Sequence, residues 1–355
     1  MQGMAARRRM IAGIGIGVMA TMALRPARAA DTITVLNWQG YGTDEAWALE
    51  QFKAKTGIEV IHDYFNAEAE MVTKLRTNPG AYDVVLVNSA RIPQLAGESL
   101  IDPADFAAVP NAAGLAADLR DHANLKVDGT TMGLAWVWGM NALGVREGKP
   151  VPDSWAALGD PAYAGRVAHF DDAVTAVMIG AILTGQDPAN PADLAKVADA
   201  LKALKPGVKL IWSSEDQWNK AFAAGEFDLA VTWSGASVRS RRAFGLPVDF
   251  VVPKEGAIGW LDSFAVPATS EKKAAANAFI DWMIDPAFYV EWATKVGAPA
   301  SASDAAMAGL PADDLSRVVH DPKYLPTMHL MAAMPDAQRE AWNNVWQEVK
   351  AHYAS

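Results

Sequence analysis

Cysteine is absent from the 355 residues. That removes a disulfide framework, a thiolate metal site and a cysteine nucleophile together. Basic residues are outnumbered, with 31 Lys and Arg against 41 Asp and Glu and a formal charge of −10. A nucleic-acid partner would want a basic face, so none is expected. The six histidines (His62, His122, His169, His320, His329 and His352) show no HxxxH-type metal spacing. No P-loop, GxSxG elbow or GxGxxG turn follows a strand. Nothing here reads as an enzyme, and neither cofactor nor metal is implied. What the chain does have is 51% hydrophobic residues, enough length for roughly two domains, and 13 Trp against 7 Tyr. Trp is seldom fully buried, so some of these rings are expected to serve a site.

The first thirty residues read as an address. Arg7, Arg8 and Arg9 precede an apolar run from Met10 to Leu24, and Ala27-Arg28-Ala29 offers a small-residue cleavage pattern. That run is 15 residues, short of the roughly 20 that a membrane span needs. The arginine cluster resembles a twin-arginine export signal, with ordinary secretion or a retained anchor as the alternatives. Residues 1–30 are therefore assigned to an export signal peptide, removed near Ala29 or Ala30. Its loss takes away five Arg and no acid, leaving a mature charge of −15. A periplasmic location is expected, with a field that attracts cations.

Strands and helices alternate through the mature chain. Thr32–Asn37, Ile58–Phe65 and Tyr82–Val87 read as strands. Thr43 and Asn66 are placed as caps of the intervening helices. This βαβαβ order implies parallel strands with helices on the faces. A second unit follows. Its strands are Gly165–Phe170, Val208–Trp212 and Phe227–Trp233, its buried helix is Ala173–Leu183, and a further helix starts at Pro191. Two segments, Trp136–Val145 and Ile258–Val266, cross between the units, and a helical remainder runs from Lys273 to Tyr353. Two crossings mean discontinuous α/β domains joined by a hinge. The boundaries are set at 31–138 plus 262–312 for lobe 1, and 139–261 plus 313–355 for lobe 2.

In open parallel sheets, ligands bind beyond the carboxyl ends of the strands. The first strand runs into Trp38 and Tyr41, and the third into Asn88 and Ser89. In the second unit the strand ends deliver Asp171-Asp172, then Trp212-Ser213-Ser214, then Trp233. At the second crossing, Trp260 and Asp262 are two apart and share one face of an extended chain. Rings, acids and small polar groups at every mouth suit a small organic cation. A ring face attracts an ammonium by roughly 0.5–2 kcal/mol per contact, and a buried charge needs a carboxylate. Plainer roles compete: Trp38, Trp233 and Trp260 as packing, and Asp171 or Asp172 as a helix cap. Trp282, Trp292, Trp342 and Trp346 are assigned to core or surface packing on amphipathic helices. The cluster Arg239, Arg241 and Arg242 is assigned to a solvated face.

Five stretches carry a family resemblance. They are Asn37-Trp38 with Tyr41, LEQFKAKTGIEV (Leu49–Val60), GAYDVV (Gly80–Val85), SWAALGDPAYAGRV (Ser154–Val167) with the DDA after it, and VVPKEGAIGWLDSFAVP (Val251–Pro267). In matching order over most of the mature chain, they resemble the periplasmic spermidine/putrescine-binding proteins of ABC transporters. The resemblance implies the two-lobed periplasmic binding protein fold, closure on a ligand in the cleft, and docking on a membrane permease. It places Trp38, Tyr41, Trp233, Trp260 and Asp262 in the ligand box, with Asp172 as a further acid and Ser214 as a small polar contact. Asn88 stands where the family usually has serine. Thr175 and Ala236 replace acids of the spermidine and putrescine patterns, and Ala90 and Ala298 replace tyrosines. The second-ammonium end has thus lost acids and gained room.

The expected function is capture of a polyamine or related small amine by a monomeric solute-binding protein, which delivers it to a permease. The assigned ligand contacts are Trp38, Tyr41, Asn88, Ser89, Asp172, Ser214, Trp233, Trp260 and Asp262. A monovalent or bulkier amine is the near alternative. A 4-aminobutyrate-like ligand would need Arg239 to reach in for its carboxylate. A ferric-ion binder, which would want adjacent tyrosines, and an exported hydrolase using Asp172 and Asp262 are the alternatives from other classes.

Overall fold

Short apolar strands alternate with helices along most of the chain, in a computed structural model that describes residues 32–355. The assigned export segment and its cleavage point lie outside the described residues. Among the described residues, no helix is long and apolar enough to cross a membrane. The first unit is β1 (Thr32–Asn37), α1 (Ala46–Thr56), β2 (Glu59–Tyr64), α2 (Glu68–Thr77) and β3 (Val84–Asn88). After it come α3 (Ile92–Gly97), α4 (Ala117–Arg120) and a small hairpin of β4 (Lys126–Val127) and β5 (Thr130–Thr131). The long β6 (Leu134–Arg146) then leads into the second unit. That unit holds β7 (Val167–Phe170), α5 (Ala173–Leu183), α6 (Leu194–Lys202), β8 (Val208–Trp212), α7 (Glu215–Ala223) and β9 (Leu229–Trp233). Next are α8 (Ser234–Phe244), β10 (Val248–Val251) and β11 (Ile258–Ala265). The remainder is α9 (Lys273–Ile284), α10 (Pro286–Lys295), β12 (Ala300–Ser301), α11 (Asp304–Ala308), α12 (Leu315–Val319), β13 (His329–Leu330) and α13 (Asp336–Ala354).

β1, α5 and β8 fall on the expected residues, but three helix starts do not. Thr43 does not cap α1, because its hydroxyl accepts from Asn37 Nδ2 at 2.8 Å and the helix begins after Glu45. Asn66 does not cap α2, whose cap position is Ala67; the Asn66 N–H instead donates to Glu70 Oε2 at 2.9 Å. Pro191 lies before α6, which Asp193 caps by accepting from Lys196 N–H at 2.9 Å. At the other end of α1, Gly57 takes φ +75° and its N–H bonds the Lys53 carbonyl, a left-handed stop that glycine adopts without a Cβ clash.

The strand order β2-β1-β3-β11-β6-β9-β7-β8 shows how the two lobes join. β2-β1-β3 and β9-β7-β8 are two parallel triplets. Between them, β11 and β6 pair antiparallel with each other, β11 with β3, and β6 with β9. In this register Asn88, the last residue of β3, sits opposite Asp262, and Asp262 sits opposite Val137. Trp233, the last residue of β9, sits opposite Asn141. The carboxyl ends of both triplets therefore converge on β6 between Val137 and Asn141. The fold is two-lobed α/β, and its strand-end crevice lies on the two bridging strands.

The apolar interior divides in the same way. One cluster draws on residues from Ile33 to Trp138 and from Trp260 to Leu310. A second draws on Leu143 to Ile258 together with Trp342, Val345, Trp346 and Val349 of α13. Trp292, Trp342 and Trp346 are fully buried, as their packing assignment requires, and Trp282 lies half-buried against the first cluster.

Asp228, at the amino end of β9, is an ionic clamp on the second lobe. It is 3% exposed and accepts from Arg146 at 3.0 Å, Arg166 at 2.9 Å and Lys149 at 3.1 Å. Burial pushes its carboxyl up, but Arg166 and Lys149 outweigh that and hold it down at about 2. A depressed carboxyl stabilises the fold above its unfolded value near 4, and the gain is lost as pH falls towards 2. Asp228→Ala is expected to lower stability by about 2–3 kcal/mol at pH 7, since it leaves half-buried cations unpaired. Urea unfolding measures it, and the deficit should shrink below pH 4.

Candidate functional site

The site is built around one carboxylate. Asp262 lies on β11, 7% exposed, where the pairing with β6 slips between Asp262 and Ser263. Such a bulge re-aims side chains. Its Oδ2 accepts from the Tyr41 hydroxyl at 2.9 Å, and its Oδ1 accepts from Asn88 Nδ2 at 3.3 Å. Both donors are delivered by strand ends, Tyr41 from the loop after β1 and Asn88 from the tip of β3. Asn88 is itself fixed, since its Oδ1 accepts from Ala90 N–H at 3.0 Å. Tyr41 stands edge-on to Trp136 and Trp292, at 5.8 and 6.3 Å between ring centres.

Trp260 shares Asp262's face and is 8% exposed. It faces Gly139 across the ladder, and a Cβ there would meet the indole at 2.4 Å. Only glycine lets the ring lie that close to β6. The indole Nε1 donates to Asn141 Oδ1 at 3.1 Å, and Asn141 Nδ2 donates to Thr175 Oγ1 at 2.8 Å. The Thr175 N–H donates to Asp172 Oδ1 at 2.7 Å. A polar relay thus ties Trp260 on the bridging strand to Asp172 in the second lobe. Trp233 is half-buried and edge-on to Phe170 and Trp212, at 4.9 and 5.0 Å.

The expected residues divide into groups. Tyr41, Asn88 and Asp262 are joined by hydrogen bonds. Trp260 adjoins them on β11, and Asp172 connects through the relay while also capping α5. Trp233 lies opposite Asn141 in the sheet. Trp38 is half-buried and packs on Phe65 at 4.6 Å, and Ser89 is buried in the turn after β3. Ser214 is solvent-exposed, and its hydroxyl caps α7 by accepting from Gln217 N–H at 3.2 Å. Asp171 turns away, accepting from Trp346 Nε1 at 2.7 Å and Lys350 at 2.8 Å.

Arg239 contradicts its assignment to a solvated face. It is 5% exposed, paired bidentate with Glu215 at 2.9 and 2.5 Å, and its guanidinium lies 5.9 Å from the Tyr41 ring centre. Its Nη1 has no hydrogen-bond partner among the described residues. Arg241 and Arg242 are likewise tied into ion pairs, with Glu147 and Asp249, and with Asp314. Cationic side chains three apart on a helix read as surface, but α8 turns its amino half inward under Tyr41. Glu68 and Arg91 were absent from the expected set altogether. Glu68 opens α2 directly beyond β2, so the strand-end rule applied to β2, as to β1 and β3, would have reached it.

Burial dominates the electrostatics. It pushes the Asp262 carboxyl up to about 7 against the hydrogen bonds from Tyr41 and Asn88. It pushes Glu68 up to about 8, with Asp262 adding to the rise and Arg91 opposing it. Asp172 is raised by burial while the Thr175 backbone and hydroxyl pull it down. Tyr41 is raised well above its ordinary value, by burial first and then by Asp262. Burial thus favours the neutral carboxyl, and an adjacent cation would pull these groups back toward the ionised form.

Three comparisons bear on this geometry. Residues 47–317 match the family described as bacterial extracellular solute-binding protein. The chain is similar to the spermidine/putrescine-binding periplasmic protein of Escherichia coli, 30% identical over 276 residues that cover 76% of this chain and 77% of that protein. It is also similar to the putrescine-binding periplasmic protein PotF of the same organism, 25% identical over 305 residues, 79% and 81% of the two chains. Among solved structures, the spermidine/putrescine substrate-binding protein PotD of Streptococcus pneumoniae superposes with a TM-score of 0.77 at 20% identity, covering 91% of this chain and all of that one. These relatives are named as binding proteins rather than enzymes, in agreement with the reading that the chain is not an enzyme.

A carboxyl raised by folding stabilises the protein below its unfolded value and loses that gain as pH rises through its folded value. For Asp262 the window runs from about pH 4 to about 7. Asp262→Asn keeps both neighbours satisfied, because the Tyr41 hydroxyl can accept as well as donate. In ligand-free protein its stability advantage should widen across that window and level off at roughly 2–4 kcal/mol. Urea unfolding at pH 4, 5.5, 7 and 8 would show it, and a constant difference would contradict the assignment.

Proposed function

The chain belongs to the bacterial extracellular solute-binding protein family, and from that premise we propose that it captures a putrescine- or spermidine-type polyamine, or a closely related small amine, and hands it to an ABC permease. The carrying observation is the buried Asp262 carboxylate, held by Tyr41 and Asn88 with Trp260 on the same face. Asp262 pairs the leading ammonium, and the Trp260 and Trp38 rings wall it. Asn88, Ser89, Ser214 and Trp233 complete the contacts, and Asp172 serves the far end. The names of the relatives support a polyamine in particular.

The protein works as a periplasmic monomer after loss of residues 1–30 through twin-arginine export, with cleavage near Ala29 or Ala30. Lobe 1 is 31–138 plus 262–312 and lobe 2 is 139–261 plus 313–355, a division supported by the two largest apolar clusters. A hinge on β6 and β11 would close the lobes on the ligand.

One observation favours a second reading. Arg239 is buried beneath Tyr41 with Nη1 unpartnered among the described residues, and an amine that also carries a carboxylate could use it. Calorimetric titration of the mature chain with putrescine, spermidine, 4-aminobutyrate and choline separates the two. We expect saturable micromolar binding of putrescine or spermidine, about −8 kcal/mol. Asp262→Ala should weaken it more than tenfold with the thermal transition preserved. Binding of 4-aminobutyrate alone would favour the second reading, and unchanged affinity in Asp262→Ala would discard this pocket.

A further inference from the structure

We propose that Glu68 joins Asp172 as a recognition carboxylate for the second ammonium of the ligand, which takes over the charge balance that Arg91 supplies without pairing. The inference rests on the amine-binding reading above and narrows it to a short dication.

Placement comes first. β2 runs parallel to β1, and β1 to β3, so all three carboxyl ends open on one edge. Glu68 is the first residue of the helix that leaves β2, on the same edge as Tyr41 and Asn88. An acid in a first helical turn is ordinarily explained by the helix dipole or by capping. Here Glu70 makes the local bond, accepting from the Asn66 N–H at 2.9 Å. Glu68 makes no ion pair among the described residues; the Asn88 backbone N–H lowers its carboxyl as a hydrogen-bond donor, yet its Oε2 is enclosed with no hydrogen-bond partner among them. A buried carboxylate oxygen without a partner is costly, so it calls for a role.

The surroundings supply that role. The charged groups that act on Glu68 are Asp262, Arg91 and Asp172. Asp262 already accepts two hydrogen bonds, and Asp172 Oδ1 is engaged at the start of α5. Glu68 is the acid of the three with an uncommitted, enclosed oxygen. Arg91 senses Glu68 first and Asp172 second, yet its hydrogen bond is to Gln94 Oε1 at 3.0 Å and no carboxylate lies within ion-pair reach among the described residues. It balances the acids without being committed to either. Burial favours the neutral forms of Glu68 and Asp262 without ligand, but a bound dication that ionises all three acids meets two negative charges beyond Arg91, while Asp336 and Arg339 near Arg91 add one of each sign. Two is the charge of a diamine. A monoamine would satisfy Asp262 and leave Glu68 unpaired.

The test is calorimetric titration of the mature chain and its variants with 1,4-diaminobutane and with n-butylamine, which differ in the second ammonium. The parent should prefer the diamine at least tenfold. Glu68→Gln should lose at least ten times more affinity for the diamine than for butylamine, and Glu68→Asp, which keeps the charge, should retain part of the preference. Arg91→Gln should tighten the diamine. Thermal melts of each variant establish folding, and butylamine binding gives a second check. An unchanged diamine-to-butylamine ratio in Glu68→Gln, or an equal loss for both ligands, would overturn the assignment. Unchanged or weaker diamine binding in Arg91→Gln would overturn the takeover of its charge balance. A parent that binds neither amine would overturn the amine reading itself, and this inference with it.

Discussion

A carboxylate withdrawn from water needs compensation, and at Asp262 the fold provides two neutral donors and, among the described residues, no bonded cation. Much of the architecture is concerned with holding that arrangement. Tyr41 and Asn88 come from the ends of two different strands, and each is braced, Tyr41 by Trp136 and Trp292, Asn88 by the Ala90 amide. The ladder slip beside Asp262 turns the carboxyl toward them. Loops alone would not hold such a group at fixed distance, whereas β11 is buried along its whole length between β3 and β6. Rigid elements are what keep recognition groups in place.

The second lobe meets the strand that carries this carboxylate through uncharged intermediaries. Trp260, Asn141 and Thr175 form a continuous run of hydrogen bonds that ends at Asp172. Every buried polar atom in the run has its partner, which makes the relay a stiff connector. Arg239 approaches from α8, but Glu215 holds it bidentate. Arg239, the cation that acts on Tyr41 among the described residues, is therefore largely neutralised before any ligand is considered.

Much of this was legible in the residues. TITVLN, VKLIW and the helix AVTAVMIGAIL lie where their apolar runs predict, because local pattern and tertiary burial agree. The strand-end rule reaches Tyr41 and Asn88, and the alternation of the second crossing segment pairs Asp262 with Trp260. What stayed hidden depended on side chains choosing among partners. Thr43 suits a cap by composition but is captured by Asn37, and Ser214, assigned as a ligand contact, also caps the start of α7. Arg239 looked like surface because charge spacing carries no information on which face of α8 turns inward. Glu68 was masked by its position, since an acid at a helix start has a sufficient local explanation until its neighbours are seen.

The bridging strands carry one consequence more. β6 and β11 run unbroken through the sheet that contains both parallel triplets, so the lobes are linked by ladder hydrogen bonds as well as by connecting chain. Lobes joined only by loops could melt one after the other. Here, loss of either lobe strips an antiparallel neighbour from a strand that the other lobe also uses, so the two halves are expected to unfold together.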